Sequence, residues 1–482
     1  MFDIRPVAFV VGAFICTLAP LLLICAVVDL AADNPDWMVF VGSAMVTFAF
    51  GSLLTLATRA ENLEFDIRQG FLLTIAVWVA ICLVGAIPFY FAAAKPSIAD
   101  AVFESTSGIT STGATVLSDL DHMPPGILMW RALLQWIGGL GIVATALLIF
   151  PFLQVSGMQL FKLESSDVGE KLSPRIADTT RQITLLYVAL TVLTTVALIA
   201  AGLRPFDAVC HAMTGVATGG FATHDSSIGY FGNRAVEAIL LVAMIAGSLT
   251  LTLVLRAVAG RPGALLRDPQ TRLFFVSIGV AVVTITTWRI LTSEVEPLQA
   301  LWGTLFSVVA IMTTTGFVLE DHATWGALPV AAFFVIIFMG GCTGSTAGGL
   351  KAYRLYVLLV ATAYHFRMLL HPHRVTALRY GEMRLDDEVV RSVMTFVLLY
   401  MASFVVIAGG LSATGLDFLT SLSGAAQAIA NVGPGLGDII GPAGNFSTLS
   451  DAAKWIISAG MLLGRLEIIA VVMVFTPAFW RV

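Results

Sequence analysis

Four stretches decide the fold of this chain: Thr112-Gly113-Ala114-Thr115, Gly219-Gly220-Phe221-Ala222, Thr315-Gly316-Phe317 and Val432-Gly433-Pro434-Gly435. Each closes a short apolar segment that long apolar segments flank. The first two copies align without a gap: Asp100-Ala101-Val102 begins thirteen residues before Gly113, Asp207-Ala208-Val209 begins thirteen before Gly220, and Gly108 matches Gly215. Glycine-bearing loops that recur four times in a membrane protein are what a cation selectivity filter needs. Backbone carbonyls replace an ion's water shell only when several loops converge on one axis.

Working outward, the 482 residues are 58% hydrophobic and 12% charged, and the mean hydropathy is +0.91. The charged share is about half that of soluble proteins, and apolar runs of about twenty residues recur throughout. The pattern predicts an all-α polytopic membrane protein. Two transmembrane helices come first, at 7–30 and 37–58. Then a unit of long helix, short re-entrant helix, glycine loop and long helix repeats four times. The repeats are 69–94, 98–111 and 126–153; 180–202, 206–217 and 231–257; 271–292, 297–312 and 326–364; and 388–411, 416–430 and 451–477. The implied organisation is an N-terminal pair (1–66) and four pore units (67–160, 161–262, 263–376 and 377–482). That gives ten crossings and four half-length helices. The short helices cannot span, and non-helical backbone at membrane depth survives only where protein buries it or water reaches it. The loops are therefore expected to face a shared pore.

With an inside N-terminus, nineteen Lys and Arg fall on inner segments and six on outer ones, with Arg465 left inside the membrane; this follows the positive-inside rule. The outer segments then carry acidic residues such as Asp119, Asp121, Asp225, Glu320 and Asp321, which would concentrate cations at the mouth. Five scattered cysteines have neither metal nor disulfide spacing. The N-terminal apolar stretch reads as a retained helix, not a cleaved signal. His365, His371 and His373, with Arg367 and Arg374, mark a basic segment facing lipid or a partner; a His-bound metal there is a second reading.

Three sites are candidates for chemistry. The carbonyls of Ser111, Thr112 and Gly113, of Thr218, Gly219 and Gly220, of Thr314, Thr315 and Gly316, and of Asn431, Val432 and Gly433 would bind the ion. Glycine there reaches backbone angles closed to other residues, and the half-helices aim their negative C-terminal ends at the ion. The copies are unequal, so the expected preference for potassium is incomplete. The second site is the run Gly340-Gly341-Cys342-Thr343-Gly344-Ser345-Thr346-Ala347-Gly348-Gly349-Leu350-Lys351, whose five glycines in ten residues disfavour helix by about 1 kcal/mol each. It reads as an unwound gate beneath the filter or as a structural kink; it lacks phosphate-loop spacing. The third is Arg465, an intramembrane cation that either opposes ion flow or pairs with a carboxylate. Glu467, two residues on, faces another side of the helix. Glu104 reads as structural, orienting the first loop. No catalytic or nucleotide-binding constellation appears, which argues against an enzyme, and nothing points to nucleic acid.

These loops, the Trp136-Ile137-Gly138-Gly139-Leu140-Gly141 run, the Gly344-to-Gly349 loop followed by Lys351, and Gly464-Arg465-Leu466-Glu467 resemble the Trk/Ktr/HKT superfamily of potassium transporters. Two extra N-terminal helices and the length point to its TrkH/TrkG branch. The resemblance implies a homodimer in the bacterial inner membrane, one pore per protomer, K⁺ as the transported ion, and a TrkA-like cytoplasmic subunit that alone binds nucleotide. It also implies that the unit-three glycine loop is a gate and that Arg465 is a barrier. A sodium or mixed-cation conductor, and a proton- or sodium-coupled symporter of the same architecture, remain alternatives; Gly113 in the first loop favours potassium.

Overall fold

The computed structural model describes residues 3–59, 65–92, 96–148, 172–371 and 377–480. Lys95, Lys162, Lys171, His373, Arg374 and Arg481, used above for orientation or surface, lie outside these residues. The N-terminal pair is α1 (Arg5–Ala31) and α2 (Trp37–Ala57). Gly12 and Gly51 bring their backbones together: a Cβ on either would sit 2.8 Å from the other's carbonyl oxygen. Small residues at a crossing allow this close approach. The pair docks on unit one, where the buried Asp29 carboxylate accepts the Gly126 N–H at 2.6 Å.

Unit one comprises α3 (Ile67–Phe91), α4 (Ile98–Ile109) and α5 (Pro125–Leu148). Unit two is α6 (Leu172–Ala200), α7 (Pro205–Val216), α8 (Arg234–Ser248) and α9 (Leu251–Val258). Unit three is α10 (Pro269–Thr292), α11 (Pro297–Met312), α12 (Ala327–Ile337) and α13 (Ala352–Leu370). Unit four is α14 (Asp387–Ala413), α15 (Phe418–Ala430), α16 (Asp451–Arg465) and α17 (Ile468–Val474). A two-stranded ribbon, Arg379–Tyr380 with Met383–Arg384, joins units three and four.

Among the described residues, helix lies within each of the ten predicted crossings, and six single helices, or eight spans with two bent pairs, are long and apolar enough to cross a membrane. The expected continuity of the last helix in units two and four is wrong. Helices α8 and α9 meet at 113°, and α16 and α17 at 111°. The first break has a physical cause outside its own unit. The Ser248 carbonyl, freed at the end of α8, accepts the Cys342 N–H at 2.9 Å, and the Leu251 N–H donates to Gly344 at 3.1 Å. Backbone groups that a helix end leaves open are taken up by the glycine-rich segment of unit three.

The short helices start where the sequence signals a start. Ser97 and Asp100 form a reciprocal capping box, Pro205 and Pro297 occupy first helical positions, and Asp417 caps α15 through the Thr420 N–H. Such caps fix the register with which each helix delivers its C-terminal end inward.

Candidate ion-conduction site

All four short helices end in the same motif. The Thr112, Gly219, Thr315 and Val432 N–H groups donate to carbonyls five residues back, on Ser107, Thr214, Ala310 and Gln427, at 2.8–3.1 Å. The Ser111, Thr218, Thr314 and Asn431 N–H groups donate three residues back. This is the Schellman arrangement, which requires a left-handed residue at the turn. Ser111, Thr218, Thr314 and Asn431 supply it with φ of 51°, 51°, 56° and 55°, although none is glycine. Two residues on, Gly113, Gly220, Gly316 and Gly433 are left-handed again, at 88°, 79°, 75° and 106°. The middle residue of each loop is not. Alternating left-handed and ordinary residues turns successive carbonyls to one side, unlike the alternation of an ordinary strand.

The four loops also close a ring. A Cβ on Gly113 would lie 2.1 Å from the Gly219 carbonyl oxygen, and one on Gly220 would lie 1.8 Å from that of Thr315. The same construction on Gly316 meets Val432 at 2.1 Å, and on Gly433 it meets Thr112 at 2.8 Å. Each glycine thus abuts the carbonyl preceding the glycine of the next loop, in the order one, two, three, four and back to one. The four glycines line one open pocket that is also lined by Arg131, His224, Asp225 and Phe446.

Glycines from below clamp three of the helix ends. Gly138, Gly247 and Gly464 sit so close to the Ile109, Val216 and Ile429 carbonyls that a Cβ would approach within 1.9, 2.4 and 2.0 Å. Above the ring, buried charge ties the loops together. Glu104 and Arg131, both buried, pair at 2.8 Å; Arg131 also donates to the Ala222 carbonyl and Glu104 accepts from the Thr115 hydroxyl and the Val116 N–H. Lys454 of unit four reaches Asp100 of unit one at 2.6 Å. Of the six Lys and Arg expected on outer segments, Arg131, Arg289 and Lys454 are buried and held by carboxylates. Asn431 donates to the Thr112 hydroxyl and the Met461 carbonyl, both at 2.9 Å.

Beneath the ring, residues 338–351 form a non-helical segment between α12 and α13. Gly340, Gly344 and Gly349 are left-handed, as is Lys351, whose ammonium donates to the Ala347 carbonyl. The segment touches three loops. The Thr346 hydroxyl meets the Thr218 hydroxyl at 3.1 Å and donates to the Gly247 and Val216 carbonyls. The Gly348 N–H donates to the Thr314 hydroxyl at 2.7 Å, and a Cβ on Gly348 would lie 2.3 Å from the Ala430 carbonyl. On the far side, the Thr343 N–H donates to Gln270 and the Ser345 hydroxyl to Cys342. Gly341 packs on Ser248.

Arg465 lies at the end of α16, not deep within an unbroken helix. It is buried, and its Nε and Nη2 have no hydrogen-bond partner. The alternative of an ion pair with Glu467 fails: the break turns Glu467 away, to φ 62°, and it binds Arg354 of α13 at 2.6 Å. His365 and His371 are exposed at the end of α13. No cluster of three His, Cys, Asp or Glu close enough to hold a metal occurs among the described residues, and the five cysteines are free.

Sequence reasoning missed Gln135, Arg131 and Arg354. Arg131 and Gln135 lie on α5 four residues apart, on one helix face. A polar stripe of that kind in an apolar helix was the available signal.

A ring of four helix-ended loops within a polytopic helical shell defines a membrane transport protein rather than an enzyme. Residues 37–482 match the TrkH family of cation transport proteins, and the chain belongs to that family. It is 39% identical to the Trk system potassium uptake protein TrkI of Halomonas elongata, covering 99% of this chain and 97% of that one. It is 36% identical to the Trk system potassium uptake protein TrkH of Escherichia coli K12, covering 99% of each. The crystal structure of the potassium transporter TrkH from Vibrio parahaemolyticus superimposes with a TM-score of 0.92 at 34% identity, over the full length of both chains.

Proposed function

We propose that this chain takes up potassium across the bacterial inner membrane, with its N-terminus in the cytoplasm. The ion sheds water against the carbonyls of residues 111–113, 218–220, 314–316 and 431–433. The observation that carries this reading is the cyclic contact of each glycine with the carbonyl of the next loop. Only a closed ring presents oxygens from four directions to one ion. The segment from Gly340 to Lys351, wedged under three loops, acts as the gate, and the unpaired guanidinium of Arg465 opposes cations that pass it. The names of the relatives support potassium as cargo and membership of a Trk system; the assembly proposed for it is a homodimer with a TrkA-like cytoplasmic subunit that carries the nucleotide. The driving force is the membrane potential, about 2.3 kcal/mol per charge per 100 mV.

The test is rubidium uptake into proteoliposomes with sodium and proton gradients varied independently. Uptake that follows the potential alone, competed by potassium and not by sodium, is expected. Uptake that requires a sodium or proton gradient would replace conduction with symport, and equal competition by sodium would make this a mixed-cation pathway. Arg465→Ala is expected to raise uptake without a partner subunit.

A further inference from the structure

The four loops differ at the residue before the ring glycine. Loops one and three carry Thr112 and Thr315, whose hydroxyls pair behind the loop with those of Thr110 and Thr313 at 2.7 and 2.8 Å. Loop four carries Val432. Loop two has Gly219 and, two residues earlier, Ala217, so nothing of its own fills that space. A side chain from another element fills it instead. A Cβ on Gly219 would lie 2.4 Å from both Cδ and Oε1 of Gln135, a fully buried residue of α5.

Gln135 does more than fill space. Its Nε2 donates to the Gly219 carbonyl at 2.7 Å, and its Oε1 accepts the Phe221 N–H at 3.0 Å. The two bonds bracket Gly220, and the partners fix which way the amide points, because one is an acceptor and the other a donor. The Gln135 backbone carbonyl in turn accepts from the Ser111 hydroxyl of loop one at 3.2 Å. One residue therefore holds the main chain of loop two and touches loop one.

We infer that Gln135 is a positioning residue that sets ion selectivity by stapling loop two and sharing its Gly219 carbonyl with the ion. This rests on the reading of the four loops as a filter. An oxygen that already accepts an amide N–H has less electron density to offer a cation. Loop two is thus the weak-field corner of the ring, and its geometry is imposed by α5 instead of by its own side chains. Gly219 is glycine because Gln135 stands where its side chain would go.

The experiment compares potassium and sodium competition against rubidium uptake in proteoliposomes of the full chain, for Gln135→Met, Gly219→Thr, the pair Gln135→Ala/Gly219→Thr, and Gly220→Ser as a reference. Gln135→Met keeps the length and loses both bonds, so the potassium-to-sodium ratio is expected to fall about three- to tenfold, the worth of one or two buried hydrogen bonds. Gly219→Thr alone is expected to fail through collision, and the pair to recover part of the lost ratio. Unchanged ratios in Gln135→Met, with a changed ratio in Gly220→Ser, overturn the inference and leave the filter standing. Unchanged ratios in both overturn the filter reading itself. If Gln135→Met does not fold, the Gly219→Thr comparison decides: equal behaviour with and without Gln135→Ala removes Gln135 as the occupant.

Discussion

The ring loops and the segment beneath them are both rich in glycine, but glycine acts differently in each. In the ring, Gly113, Gly220, Gly316 and Gly433 stand where a side chain would strike the next loop's carbonyl, at 1.8–2.8 Å. No loop moves there without its neighbour. In the segment, Gly340, Gly344 and Gly349 supply left-handed turns, and hydrogen bonds to the ends of broken helices hold it. These can be exchanged for water at a net cost of about 1 kcal/mol each. A ring tied loop to loop above a segment held by exchangeable bonds is the division that the proposed filter and gate would require.

The comparison breaks first if the ring's ties are not what hold it. Arg131→Met leaves Glu104 buried without its partner, and breaking a buried pair costs about 3–5 kcal/mol. Thermal unfolding of the detergent-purified protein should show a larger loss than for substitutions in the ring glycines, the plug or the mouth, with a collapse of potassium preference before unfolding. A small shift would mean that the Arg131 contacts across loops one and two are incidental.

The ring glycines sharpen the comparison by grading it. Serine at Gly220, where the clash is closest, should reduce potassium preference most, then Gly113 and Gly316, and Gly433 least, following distances of 1.8, 2.1, 2.1 and 2.8 Å. Overpacking costs about 1–3 kcal/mol, so the worst case should lose about tenfold or more in the potassium-to-sodium ratio. An order unrelated to these distances would refute the ring as the source of selectivity.

These glycines could be read from sequence because they recur at a fixed offset from a short apolar helix. The unwound segment was legible as a break because its five glycines interrupt a hydrophobic run. The breaks at 249–250 and 466–467 were not. The flanks Met244–Leu253 and Met461–Ile469 carry Ser248, Thr250 and Thr252 in the first and Arg465 and Glu467 in the second, but no proline, and each bent pair taken together is still apolar enough to cross a membrane. What breaks α8 is the Cys342 N–H arriving from another unit, a long-range hydrogen bond with no local signature. For Gln135 and Arg354 the residue was visible but its distant partner was not. A polar residue in an apolar helix signals a partner without saying which.

A smaller effect tests the plug. Thr346→Val keeps shape and removes hydroxyl bonds to the Gly247 and Val216 carbonyls and to the Thr218 hydroxyl, while leaving the ring carbonyls in place. Uptake without a partner subunit should rise about fivefold, the equivalent of about 1 kcal/mol, while the potassium-to-sodium ratio stays fixed. A changed ratio with unchanged rate would place Thr346 in the ring's support and erase the distinction between the two regions.

The smallest effect concerns the loops above the ring, where Asp121 of unit one binds His224 of unit two, which stacks on Tyr230. The hydrogen bond from His224 is the largest influence holding the Asp121 carboxyl below its ordinary 3.8. A depressed carboxylate stabilises the fold above its unfolded value, and that contribution disappears as pH falls through the folded one. Wild type should therefore melt slightly above Asp121→Asn from pH 5 to 6, and the gap should close below 3.8. The neighbouring His122 works in the opposite sense: Asp119 raises it, so its contribution is present at acid pH and fades as pH rises past the ordinary histidine value. That pair is fully exposed and links residues of one loop, where ion pairs are worth little. Asp119→Asn should leave melting unchanged from pH 6 to 8. A pH-dependent change there, or none at Asp121, would show that ties between units matter no more at the mouth than ties within one.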